Sequence, residues 1–116
     1  MRIIKNLYWN QKVVVKIDNE ESKWQFIERG VRQGCVMSPD LFNQYCEMIR
    51  KDIKELEGIR LNEYNINNIR YADDTVLVAD SEEKLQNLLN VLKDVSERKC
   101  LKINKSKTEV IVISRA

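Results

Sequence analysis

Residues 66–79, INNIRYADDTVLVA, decide how this chain folds. Apolar and β-branched residues fill both ends, and Tyr71-Ala72-Asp73-Asp74 lies between them. Strands over 66–71 and 75–79 then predict a hairpin whose turn holds both aspartates. Downstream, Asp80 or Ser81 can cap a helix, and only Asp80 with Glu83 three residues on makes a capping box. Leu85, Leu88, Leu89, Leu92 and Val95 recur at helical spacing and give that helix an apolar face. Residues 101–104 and 109–114 read as two further short strands. Upstream, 59–61 is another, and Gly58 is placed to end a helix that starts at Ser38-Pro39. Ser38 is expected as its N-cap, with Pro39 at the first helical position. Phe42, Tyr45, Cys46, Ile49, Ile53 and Leu56 line one stripe of it.

Before that helix, GVRQGCVMSP (residues 30–39) holds two of the three glycines and the single proline. KVVVKI (12–17) and WQFIE (24–28) predict a hairpin with a longer loop, and residues 1–10 read as the last turns of a helix. The order β-β-α-β-β-α-β-β implies an α+β fold: an antiparallel sheet with two main helices on one face. No repeat or linker interrupts it, so residues 1–116 are expected to form one domain.

Composition narrows the chemistry. The chain has 116 residues, 43% hydrophobic and 33% charged, which suits a globular core and excludes low-complexity or collagen-like sequence. It contains no histidine, so a Cys2His2 finger, a histidine triad and a histidine general base are all excluded. Its three cysteines stand far apart, as small buried hydrophobes do more often than metal ligands. No stretch is long and apolar enough for a signal peptide or a membrane span, so a reduced, intracellular chain is expected. The net charge of +2 is unevenly spread: about +3 over residues 1–36, −4 over 37–80 and +3 over 81–116. Basic flanks around an acidic centre suit a polyanion held over a cation site, and also an ordinary solvated surface.

The aspartate pair carries the chemical signal. Adjacent carboxylates repel one another unless a cation neutralises them. A hard ion such as Mg²⁺ often binds through one or two carboxylates together with substrate phosphates. Asp-Asp is equally at home as a turn dipeptide, because Asp bonds its own backbone. Both readings stand on these letters alone.

Three blocks together add a third consideration. Gly30-Val31-Arg32-Gln33-Gly34-Cys35-Val36-Met37-Ser38-Pro39, followed by Leu41-Phe42-Asn43, resembles motif B of the reverse transcriptases of non-long-terminal-repeat (LINE-type) retrotransposons. Tyr71-Ala72-Asp73-Asp74 resembles their motif C, and Leu101-Lys102-Ile103-Asn104 with Lys107-Thr108 their motif D region. Leu7-Tyr8 and Trp24 of the upstream hairpin fit the same pattern, and the blocks stand in the family's order. One departure is Cys100, where the family often has Gly before Leu101.

The resemblance implies part of the palm of an RNA-directed DNA polymerase, motif B to motif D. Motif A, the fingers and the thumb are expected to be absent, since Asp18 is the only aspartate in the first 39 residues. Asp73 would be a principal ligand of two catalytic Mg²⁺ ions (Mn²⁺ in their place), with Asp74 as its acidic neighbour. Tyr71 would support the primer end and nucleotide site. Gln33 and Gly34 would lie against the template and the incoming nucleotide, with Arg32 shaping their loop. Lys107 would neutralise or protonate pyrophosphate, with Lys102 and Lys105 as rivals. The implied partners are an RNA template, a DNA primer and deoxynucleotides, with no membrane, and the implied place of action is the nucleus. A chain so equipped is expected to be inactive alone. The alternative is a non-catalytic remnant of a retroelement that binds nucleic acid or a polymerase.

Overall fold

A computed structural model describes residues 2–114. Three helices and eight short strands follow one another as α1 (Arg2–Tyr8), β1 (Lys12–Val13), β2 (Lys16–Ile17), β3 (Glu20–Glu21), β4 (Gln25–Phe26), α2 (Ser38–Ile53), β5 (Ile59–Leu61), β6 (Tyr64–Ile66), β7 (Asn68–Tyr71), β8 (Asp74–Leu77) and α3 (Glu82–Arg98). A 3₁₀ turn, Lys105–Lys107, comes last. The chain is α+β and every strand pair is antiparallel. Among the described residues the strands form four two-stranded ribbons, β1-β4, β2-β3, β5-β6 and β7-β8, where a single sheet was expected. Residues 101–104 and 109–114 form no strand. The backbone groups into two compact units that divide after Phe42.

The first unit is built on one interrupted ribbon. Lys12 pairs with Phe26 and Val13 with Gln25, whereas Lys16 pairs with Glu21 and Ile17 with Glu20. The Val15 carbonyl accepts the Ser22 N–H at 2.9 Å. Lys23 and Trp24 therefore face the single residue Val14, a one-residue bulge that bends the ribbon and sharpens its twist. Beyond it, the 30–37 loop is tied down by side chains. The Ser38 hydroxyl donates to the Arg32 carbonyl at 2.6 Å, and the Arg32 guanidinium donates to the Leu7 carbonyl at 3.3 Å. Ser38 thus closes this loop rather than capping its helix, and Met37 supplies the carbonyl that accepts the first helical bond, from Leu41 at 3.1 Å.

The second unit holds the buried apolar cluster. Ile49 and Ile53 of α2 pack with Leu92 and Val95 of α3, flanked by Leu56, Leu77, Val91, Leu101 and Ile103. Leu88 is also fully buried. These are the stripes read from helical spacing, and burying one large aliphatic side chain contributes about 1.5–3 kcal/mol. Ser81 is the N-cap of α3, accepting the Lys84 N–H at 3.3 Å. Asp80 instead forms an ion pair with Lys84 at 3.0 Å, so no capping box forms.

The strand expected over 66–71 is broken at Asn67, which is only 4% exposed. Its amide donates to the Ile53 carbonyl at 2.7 Å and to the Leu56 carbonyl at 2.8 Å. The last carbonyls of α2 are satisfied in this way, as helix ends require. Gly58 sits against the same corner, where a Cβ would lie 2.3 Å from the Ile66 carbonyl oxygen.

Candidate functional site

The β7-β8 ribbon presents the aspartates. Tyr71 pairs with Asp74, so Ala72 and Asp73 alone make the connection. Ala72 has φ +52°, and Asp73 stays outside the positive region. A left-handed first residue in a two-residue hairpin loop is a position where glycine is preferred, so alanine there is strained.

Strand alternation divides the ribbon into two faces. Arg70 and Leu77 point inward: the Arg70 guanidinium donates to the Cys46 carbonyl at 3.1 Å, and Leu77 packs on the helix cluster. Tyr71, Asp73 and Asp74 are exposed, Tyr71 to 84%. Ile69 and Val76 pair with each other on the same outer side and are also exposed. The outer face thus joins a carboxylate pair, a phenol and an apolar strip. This matches the sequence expectation of aspartates at an exposed turn, with the helices behind it.

Among the described residues no group of three or more His, Cys, Asp or Glu gathers into a metal-binding cluster. The donor chemistry of Asp73 and Asp74 nonetheless fits a hard divalent ion, which can take one or two protein carboxylates and complete its shell with phosphate oxygens and water. Such a site is completed by substrate.

Arg32, Gln33 and Gly34 belong to the first unit and are exposed. Gly34 has φ +76°, and a Cβ placed there would meet open space. The glycine is therefore required by backbone conformation and not by crowding within the chain. Nearby, the Tyr8 hydroxyl donates to the Cys35 sulfur at 3.5 Å. That bond holds the Cys35 thiol below its ordinary range, together with the Met37 backbone N–H. Neither contact was legible in the sequence, because the partners lie 27 residues apart.

Lys107 ends the 3₁₀ turn and is exposed. Asn104 organises this turn: its side-chain oxygen accepts the Ser106 N–H at 3.2 Å, and its carbonyl accepts the Thr108 hydroxyl at 2.8 Å. Lys102, Lys105 and Lys107 form no ion pair among the described residues. Just before them, α3 closes in a Schellman motif. The Leu101 N–H reaches the Ser96 carbonyl at 2.8 Å and the Cys100 N–H the Glu97 carbonyl at 3.0 Å. Cys100 holds the left-handed φ of +57° that this motif needs.

Comparison with known proteins adds the family. A family model described as reverse transcriptase (RNA-dependent DNA polymerase) matches residues 1–115. Over 80 residues, 69% of this chain, the sequence is 34% identical to the Retrovirus-related Pol polyprotein from type-1 retrotransposable element R2 of Nasonia vitripennis. The match spans 8% of that relative's length. With the family model covering nearly all of it, this chain belongs to the reverse transcriptase family, on its non-long-terminal-repeat branch.

Proposed function

We propose that residues 1–116 are the motif B to motif D part of a polymerase palm, and that Asp73 is its metal-binding carboxylate. The observation that supports this reading is the hairpin itself: an exposed Tyr71-Ala72-Asp73-Asp74 turn, anchored from behind by Arg70 and Leu77. Asp73 sits at the tip, and Asp74 opens β8 beside Tyr71. Held on paired strands, the carboxylates keep their spacing when a charged substrate arrives.

When bound by these carboxylates, two Mg²⁺ ions (or Mn²⁺) supply the charge neutralisation that attack of a primer 3′-hydroxyl on a deoxynucleotide phosphate requires. Asp73 holds the cation side of this arrangement and Asp74 adds negative charge next to it. Tyr71 offers an aromatic face to the primer end. Arg32, Gln33 and Gly34 form a tied loop for the RNA template and the incoming nucleotide. Lys107 stands ready to give a proton or positive charge to the departing pyrophosphate.

Two adjacent carboxylates are too few to position two metals, a primer and a nucleotide, and misplacement of about 1 Å can cost a hundredfold. The 116-residue chain alone is therefore expected not to extend a DNA primer on an RNA template. It should still bind Mg²⁺ with millimolar affinity. In an NMR titration, shifts should be confined to Tyr71–Thr75, and Asp73→Asn should remove them. Micromolar binding, or shifts indifferent to that substitution, would defeat the assignment. In a longer polymerase segment that extends primers, Asp73→Ala should abolish extension.

A further inference from the structure

The first unit exposes three aromatic rings that its own fold leaves without cover. Trp9 is 65% exposed, Trp24 63% and Phe26 63%. Lysines cross two of them: Lys5 Nζ lies 5.0 Å from the Trp9 ring centre, and Lys12 Nζ 4.9 Å from that of Phe26. Lys12 and Phe26 are direct cross-strand partners, and Trp24 stands two residues before Phe26, on the same face by alternation. Lys23 shares the bulge with Trp24. Trp9 ends α1 two residues before Gln11, whose carbonyl accepts the Ile27 N–H at 2.8 Å and starts the ribbon. All three rings thus belong to the ribbon's open end.

Chemistry separates the two faces. Val13, Val15 and Ile17 alternate on the side opposite Lys12 and are exposed, aliphatic and uncharged. That side suits packing against protein. The aromatic side mixes rings with ammonium groups, whose desolvation would oppose burial against an apolar partner. The acids of this ribbon gather mainly at its far tip, as Asp18, Glu20 and Glu21, where Glu21 pairs with Lys16 at 3.4 Å. Near the rings the lysines face only Glu28.

We propose that Trp9, Trp24 and Phe26, with Lys5 and Lys12, are a binding platform for single-stranded RNA. Aromatic rings stack on unpaired bases without reading their identity, and neighbouring lysines take the phosphates. This site is separate from the aspartate hairpin, and the proposal rests on family membership only for the choice of RNA over DNA.

The two tryptophans are the only ones in the chain, so intrinsic fluorescence reports on the platform directly. Titration of the 116-residue protein with a 12-nucleotide oligouridine should quench emission in a saturable, salt-sensitive manner. Phe26→Leu should weaken binding about tenfold, in line with the loss of one stacking partner. Lys12→Gln should weaken it less and reduce the salt slope by about one phosphate contact. Asp73→Asn should leave binding unchanged, so that failure of the catalytic assignment stays distinguishable. Equal affinity for a fully paired RNA duplex would overturn the stacking platform. So would quenching indifferent to both ribbon substitutions, or quenching that follows protein concentration without RNA, the mark of a protein interface. Equal binding of oligothymidine would overturn the choice of RNA. Circular dichroism on each variant guards against misfolding, which these exposed positions do not invite.

Discussion

At Cys100 a single residue shows how a backbone demand outlives the side chain that meets it best. The Schellman motif at the end of α3 needs a left-handed residue, and glycine adopts that conformation without steric cost. The family pattern named glycine there, and the structure keeps the glycine conformation with cysteine, at φ +57°. Restoring the glycine should therefore stabilise the chain, less the extra freedom glycine gains when unfolded. Cys100→Gly is expected to add about 1 kcal/mol, read as a higher urea midpoint with an unchanged slope. A lower midpoint would mean that the thiol contributes contacts outweighing the strain. Ala72, at φ +52°, carries a similar strain at the turn that presents Asp73. Strain at a turn of this kind was invisible in the sequence, since Ala-Asp has no marked turn signature of its own.

Among the elements, helix existence and facing were legible because the apolar spacing in α2 and α3 is regular. Ile49, Ile53, Leu88, Leu92 and Val95 are all buried. Strand boundaries were less legible, because buried polar residues set them. Asn67 divides β6 from β7 to serve the carbonyls of α2, and no local periodicity announces a bond across 14 residues. Asn65 does related work in the open, taking the Gly58 N–H at 2.9 Å and giving its amide to the Leu56 carbonyl at 2.8 Å. Comparing the two separates burial from hydrogen bonding. Asn67→Ala should cost about 1–3 kcal/mol, because it strands buried carbonyls. Asn65→Ala should cost less, since water can replace an exposed amide. Equal losses in thermal unfolding would contradict this account of the corner.

For the whole molecule, the decisive fact is how much apolar surface stays uncovered. Val110, Ile111, Val112 and Ile113 are between 71% and 93% exposed, in a stretch with no assigned helix or strand. The sequence reads this run as a strand because four β-branched residues in succession suit a pleated surface. Propensity alone does not build one: a strand needs a neighbour to accept its hydrogen bonds, and no described segment pairs with it. An apolar run without alternation matches a strand covered on both faces. Left bare, with high β-propensity, no proline and low charge, it is a template for pairing between copies. The 116-residue chain should therefore self-associate as its concentration rises, seen as growing scattering and a shift to larger species on size exclusion. Replacing Ile111 and Ile113 with lysine should suppress that association. The melting temperature should hardly move, because these side chains lie outside the buried cluster. A fall of several degrees would instead mean that the run docks on the folded chain in solution, and that its exposure is not what drives association.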